Sequence, residues 1–299
     1  MDGKHRQHKL AYAYAMVAVL FWATSASAFK LSLRHVQDLP LLFLASATST
    51  VIFGIYLTAA QRLHLLRTLT HKDLLWSAGL GFLNPFLYYA ILFKAYSLLP
   101  AQEAQPINFV WPLTLVLLSI PLLGQRIKPA SILAIFISFT GVVVIATRPE
   151  RPSDILDFRF SSGLGVLLAL STTVVWALFW IYNTRDRCDE AVRLFLNFAF
   201  ATGYTFIAVL LTDQVDVPVW QGLIGGVYIG LFEMGITFLA WLKALKLART
   251  TAHVVNLIYL VPFLSLLVIA LVLDEQILPA TLVGLVLIIA GIVLQKRWA

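Results

Sequence analysis

Apolar stretches of about 20 residues, the length that carries a helix across a bilayer, follow one another along almost the whole chain. They are continuous runs rather than ten-residue alternations, so they select helices over barrel strands. In lipid every backbone polar group must be satisfied inside its own element, which a helix does. Composition points to the same solvent: 60% of the 299 residues are hydrophobic and 12% charged, where a soluble domain carries about 25% charged residues. Ten segments are expected, near 10–30, 40–60, 74–95, 102–122, 130–147, 161–182, 191–212, 219–241, 250–272 and 279–295. Pro40, Pro129, Pro218 and Pro279 fall at or just before helix starts, where a missing N–H costs little.

Net charge is +7. Nucleic-acid binding needs a basic patch on a folded surface, whereas these charges are scattered between apolar runs, so no nucleic-acid partner is expected. Orientation explains them better. Sixteen Lys and Arg fall on the amino terminus, connections 2–3, 4–5, 6–7 and 8–9 and the carboxy terminus, against six on the other connections. By the positive-inside rule both termini are cytoplasmic. Lys4, Arg6 and Lys9 ahead of an apolar stretch, with Ala26-Ser27-Ala28 behind it, have the form of a signal peptide. The stretch is longer than a usual signal core, and segment 1 is expected to be retained as a helix. With Cys188 as the one cysteine, neither an internal disulfide nor a cysteine-built zinc site is expected. No metal or cofactor is expected either.

The chain repeats itself. Phe93-Lys94-Ala95 recurs as Leu242-Lys243-Ala244 at an offset of 149. Val110-Trp111-Pro112 recurs as Leu260-Val261-Pro262, Ile127-Lys128-Pro129 as Ile277-Leu278-Pro279, and Gly141-Val142-Val143 as Gly291-Ile292-Val293, all at 150. Collinear matches of this kind mark a duplication. Residues 1–150 and 151–299 are therefore expected to be two five-helix repeats. Five is odd, so the second enters the membrane inverted, an architecture that puts a binding site between the repeats near the midplane. The expected fold is all-α and integral to the membrane.

These features resemble the drug/metabolite transporter superfamily, EamA type. Pro262, Asp274-Glu275, Gly284 and Gly291 carry the likeness in the second half; Pro112, Gly124 and Gly141 carry it in the first, with Gln125 where the second half has Glu275. The resemblance implies a multi-pass protein of the bacterial inner membrane that exports small metabolites, aromatic and other amino acids first among them.

Glu233 is the sharpest candidate, an acid in the middle of segment 8. A carboxylate at that depth costs about 2.5–3.5 kcal/mol on insertion scales and so needs a cavity or a partner. Its counterpart at offset 149 is Asn84. Either binding of a substrate amine or proton coupling fits Glu233, as does a plain hydrogen bond locking the helix. Tyr88 lies one helical turn from Asn84, as Thr237 does from Glu233, with Trp241 a further turn on. Segment 4 offers Asn108 and Trp111, and segment 9 offers His253, Asn256 and Tyr259. Trp22, Trp176 and Trp180 lie inside apolar runs, where aromatic faces can stack a ring and attract an ammonium. Pro85, Pro112 and Pro262 are hinge candidates.

The function these residues suggest is secondary transport by alternating access, through a cavity lined by segments 1, 3, 4, 6, 8 and 9. A drug, nucleoside or nucleotide-sugar substrate is the alternative within the superfamily. An intramembrane enzyme would need a nucleophile with its base or clustered metal ligands, and no such motif is present. Nor is there a phosphate-binding loop for ATP-driven pumping.

Overall fold

The computed structural model describes residues 2–123, 129–147, 161–183, 188–214, 219–247 and 256–298. Regular structure among them is helical throughout, with no strand. In chain order the helices are α1 (Asp2–Leu33), α2 (Asp38–Ala59), α3 (His71–Gly81), α4 (Tyr88–Leu98), α5 (Ala101–Asn108), α6 (Trp111–Leu123), α7 (Pro129–Thr147), α8 (Gly163–Asn183), α9 (Glu190–Leu211), α10 (Trp220–Tyr228), α11 (Thr237–Leu247), α12 (Val261–Leu273) and α13 (Pro279–Trp298).

Seven spans are long and apolar enough to cross a membrane: Lys9–Leu33, Asp38–Ala59, His71–Leu98, Ala101–Leu122, Gly163–Tyr182, Glu190–Leu211 and Trp220–Trp241. Shorter apolar helices occupy Leu133–Ile145, Val261–Leu273 and Pro279–Leu294. Leu75, Leu211 and Leu271 are each more than 70% exposed, which a lipid solvent makes favourable.

Two of the expected spans are broken by wide turns. Phe82–Leu87 is a π-segment joining α3 to α4, and within it Asn84 is extended (φ −148°, ψ 120°). Pro85 cannot donate to the turn before it, and a turn with longer-range bonds steps over the gap. Ile229–Ile236 is a second π-segment, joining α10 to α11. Segment 4 divides at Phe109–Val110 into α5 and α6. Segment 9 has a 3-10 turn, Asn256–Leu260, before α12.

The chain forms two compact units, and each draws on both ends of the sequence. The first holds Met1–Leu87 and Asp186–Val268, the second Tyr88–Arg185 and Ile269–Ala299.

In the first unit α2 and α9 pack antiparallel. Phe43 meets Phe206 at 5.7 Å between ring centroids, the Thr50 and Thr202 hydroxyls lie 3.1 Å apart, and Phe53 meets Phe198 at 5.2 Å. Helix α3 starts with a capping box in which Thr70 and Asp73 satisfy each other's backbone N–H groups. It is then held to α9 by buried Arg193, which donates to the Asp73 carbonyl at 2.8 Å and to the Ser77 hydroxyl. Asp189 begins α9 by accepting from the Ala191 and Val192 N–H groups, and it also pairs with Arg62 at 3.0 Å. Gly81 lies against the Asn197 backbone and Gly230 against the Ala45 backbone, so neither position has room for a Cβ.

In the second unit α7 and α13 pack antiparallel and almost backbone to backbone. The Ser138 hydroxyl donates to the Ile288 carbonyl at 3.0 Å. A Cβ on Gly141 would sit 2.5 Å from the Gly284 carbonyl oxygen, and one on Gly284 would sit 2.6 Å from that of Gly141. The first turn of α5 is tied down at several points. Glu275 accepts from the Ala101 and Gln102 N–H groups at 3.2 and 3.3 Å. The Gln102 amide donates to the Gln276 carbonyl at 2.9 Å and accepts from the Leu278 N–H and the Thr281 hydroxyl, both at 3.1 Å.

Candidate functional site

Each unit carries its own polar and aromatic centre. In the first unit it lies along a seam where α1 runs antiparallel to α10, the second π-segment and α11. Glu233, 8% exposed, accepts a hydrogen bond from the Ser25 hydroxyl. One residue along α1, Thr24 shares a hydrogen bond of 2.8 Å with the Tyr228 hydroxyl. Phe232 packs between Phe21 and Tyr228, at 4.8 and 4.9 Å. Further along the seam Trp22 meets Trp241 at 5.4 Å and the edge of Phe238 at 6.4 Å. Glu233 sits within the wide turn, a form that recurs at functional sites inside helices, and Ser25 supplies a donor to its buried carboxylate.

Thr237 closes the wide turn. It is buried, and its hydroxyl donates to the carbonyl of Phe232, five residues back. The side chain fills a backbone acceptor left by the wide turn.

Asn84 sits in the same unit, in the first π-segment, and is 2% exposed. Its Oδ1 makes no hydrogen bond among the described residues. Pro85 is buried beside it.

The second unit brings together Tyr88, Asn108, Trp111, Trp176 and Trp180. Tyr88 donates to Asn108 Oδ1 at 3.3 Å, Asn108 Nδ2 donates to Thr172 at 2.7 Å, and Thr172 donates to the Ala169 carbonyl at 2.6 Å. This relay fixes the amide of Asn108 and links α4, α5 and α8. Around it Trp176 lies 4.7 Å from Tyr88, 6.3 Å from Trp111 and 6.1 Å from Trp180. The half-buried Trp180 keeps its indole N–H without an acceptor among the described residues. Such a cluster presents π-faces and one spare donor, which suits an aromatic guest.

His253 lies outside the described residues. Asn256 and Tyr259 belong to the 3-10 turn, but their side chains lie outside the description, as does the ring of Pro112. Pro112 and Pro262 each stand second in a 13-residue helix, α6 and α12.

Ser25, Thr24, Tyr228 and Thr172 were not marked by the sequence, because small hydroxyls are ordinary in apolar helices. Glu103, near the start of segment 4, belongs to no motif in the sequence. It is fully buried in the first turn of α5 and accepts from the Ser161 hydroxyl at 2.8 Å to each carboxylate oxygen. Glu275, an acid with no evident role in the sequence, caps that same helix. Among the described residues no three His, Cys, Asp or Glu gather as metal ligands.

A multi-pass helical membrane protein with polar groups buried at broken spans has the form of a small-molecule carrier. Its class is settled by comparison: the profile of the EamA-like transporter family matches residues 9–147 and again 163–295. The chain belongs to that family. It is 26% identical to the uncharacterized transporter YvbV of Bacillus subtilis, over 92% of this chain and 88% of the relative. It is also 26% identical to the aromatic amino acid exporter YddG of Ancylobacter novellus, over 75% of each. A solved crystal structure with 25% sequence identity superposes with a TM-score of 0.66, covering 97% of each chain.

Proposed function

We propose that the chain is a secondary transporter of the inner membrane that exports small amphipathic metabolites, with aromatic amino acids the leading class. The observation that carries this reading is the buried Glu233 carboxylate at a mid-span π-turn, accepting from a serine hydroxyl on a neighbouring helix, with Trp22 and Trp241 further along the same seam. A substrate ammonium would replace the Ser25 proton as the partner of Glu233, and the indoles would take the ring. Tyr88, Trp111, Trp176 and Trp180 would offer aromatic contacts of their own in the second unit. Asn84 Oδ1 would accept from the substrate amine. Asn108, His253, Asn256 and Tyr259 are further candidate substrate contacts, and Pro85, Pro112 and Pro262 would serve as hinges. No catalytic step is part of this reading.

Ten spanning helices, with residues 1–150 and 151–299 as inverted repeats and both termini cytoplasmic, complete it. Its support is internal correspondence. The two π-segments hold Asn84 and Glu233, 149 residues apart; Gly81 and Gly230, also 149 apart, both press against a neighbouring backbone. The partners in each antiparallel pair, α2 with α9 and α7 with α13, occupy like places in the two halves. The aromatic amino acid exporter among the relatives favours the substrate class.

The test is flux in proteoliposomes against labelled amino acids, nucleosides, nucleotide sugars and cationic drugs. Aromatic amino acids are expected to move fastest. The Glu233→Gln variant keeps an acceptor for Ser25 and is expected to fold while losing amine-bearing substrates by at least about tenfold, the order of one charge-assisted hydrogen bond. Unaltered transport in that variant would remove Glu233 from the mechanism, and selectivity for nucleotide sugars would move the substrate class.

A further inference from the structure

Ten residues beyond Glu233 on the same broken span, Lys243 is held in an unusual way. Its ammonium lies 5.5 Å from the ring centroid of Tyr14 on α1 and 5.5 Å from that of Tyr56 on α2. The side chain is half-buried, and no carboxylate faces it among the described residues. Arg62 and Arg193, in the same unit, each face an aspartate. Two ring faces attract a cation, but they offer no lone pairs to its three N–H donors. Among the described residues the charge is therefore held in place while no acceptor takes its N–H groups.

The position is informative. Tyr14 lies near the start of the α1 span, Tyr56 near the end of α2 and Lys243 near the end of α11. These are the ends that the Lys and Arg distribution assigns to the cytoplasm. Between Lys243 and Glu233 the same α1 seam presents Trp22, Phe238 and Trp241. Ten helical residues rise on the order of 15 Å, whereas the ammonium and carboxylate of an α-amino acid share one carbon. A single molecule cannot touch both charges, so the two act in succession.

We infer that Lys243, seated between Tyr14 and Tyr56, is an anion station that takes the substrate carboxylate at the cytoplasmic mouth before the ammonium reaches Glu233. This rests on the reading of the chain as an exporter of amino-acid-like solutes and adds to it a requirement for a carboxylate, met at a separate place. Lys94 stands at the same ten-residue distance from Asn84 and is exposed, which puts the corresponding charge of the first half toward the other face.

The experiment compares labelled phenylalanine with labelled phenethylamine, its analogue without the carboxylate, offered from the cytoplasmic side of proteoliposomes. Lys243→Met is expected to raise the half-saturation concentration for phenylalanine by about tenfold, the order of a charge-assisted contact, and to leave phenethylamine unchanged. Lys243→Arg is expected to keep both at wild-type values. Equal losses for both solutes, or no change in either, overturn the inference and leave the exporter reading standing. A phenylalanine defect that disappears when anionic lipid is omitted from the vesicles assigns the ammonium to a lipid phosphate and also overturns it. A wild-type protein that moves neither solute takes down both readings. Inhibition of wild-type flux by 3-phenylpropionate from the cytoplasmic side needs no variant: it is expected, and its absence counts against the station even where Lys243→Met fails to fold.

Discussion

The close approach of α3 to α9 supports a prediction with its own control two residues away. A Cβ added at Gly81 would sit 3.1 Å from both the carbonyl carbon and the Cα of Asn197, with the carbonyl oxygen nearer still. All three are backbone atoms, so no rotamer relieves the contact. Carbon atoms prefer about 3.5–4.0 Å, and the helices must part by roughly half to one ångström. That movement lengthens the 3.1 Å bond from the Tyr204 hydroxyl to the Ala78 carbonyl and disturbs the Arg193 contact with Asp73. Overpacking costs about 1–3 kcal/mol and the lost hydrogen bond about 1 kcal/mol, while replacing glycine within a helix returns up to about 1 kcal/mol. Gly81→Ala is therefore expected to destabilise the protein by about 1–3 kcal/mol. Gly79, in the same helix, has nothing within 4 Å of its Cβ position, so Gly79→Ala should be neutral or slightly stabilising. Thermal unfolding of detergent-solubilised protein, followed by tryptophan fluorescence, compares the two. Coincident curves for Gly81→Ala, Gly79→Ala and wild type would refute the argument.

Trp176→Ala removes the ring at the centre of the second unit's aromatic cluster. Aromatic pairs are worth about 0.5–1.5 kcal/mol beyond their area, so half-saturation for phenylalanine should rise several-fold more than for leucine in the same flux assay. Equal losses would assign Trp176 to packing. Glu275→Ala leaves two N–H groups of α5 without their acceptor and should cost about 1 kcal/mol, the usual value of a lost cap. Glu275→Gln, which keeps a carbonyl oxygen, should cost less, and unfolding curves that rank the two variants the other way would refute the capping role.

Much of the architecture is written in the sequence because lipid imposes a simple code. A run such as Val166–Ile181 has no stable alternative to a helix in that solvent. Glu233 stood out for the same reason, since a lone carboxylate amid Leu231, Phe232 and Met234 demands a partner. Which partner was not legible. Ser25 looks like any small residue of an apolar run until α1 is laid antiparallel to α10 and α11, and nothing in the periodicity of either segment encodes that pairing. The π-turns were hidden too. Asn84-Pro85 signalled a disturbance, but the turn at Glu233 contains no proline. Tyr88, Asn108 and Trp176 were all marked by chemistry, yet their convergence rests on Thr172, an unremarkable hydroxyl. Glu275 makes the complementary case: its acid was noticed, and its role depends on a helix start 174 residues earlier in the chain.

The interleaving of the two units bears on how the molecule is made. Ser25 and Glu233 are separated by 208 residues, and at the usual 5–20 residues per second that is a delay of roughly 10–40 s on the ribosome. Through that interval α1 and α2 sit in the bilayer with the faces meant for α9, α10 and α11 covered only by lipid or by the insertion machinery. The first unit cannot close until most of the second has been synthesised. A nascent chain halted at its midpoint is accordingly an unfinished half of both units, and a natural target for membrane proteases.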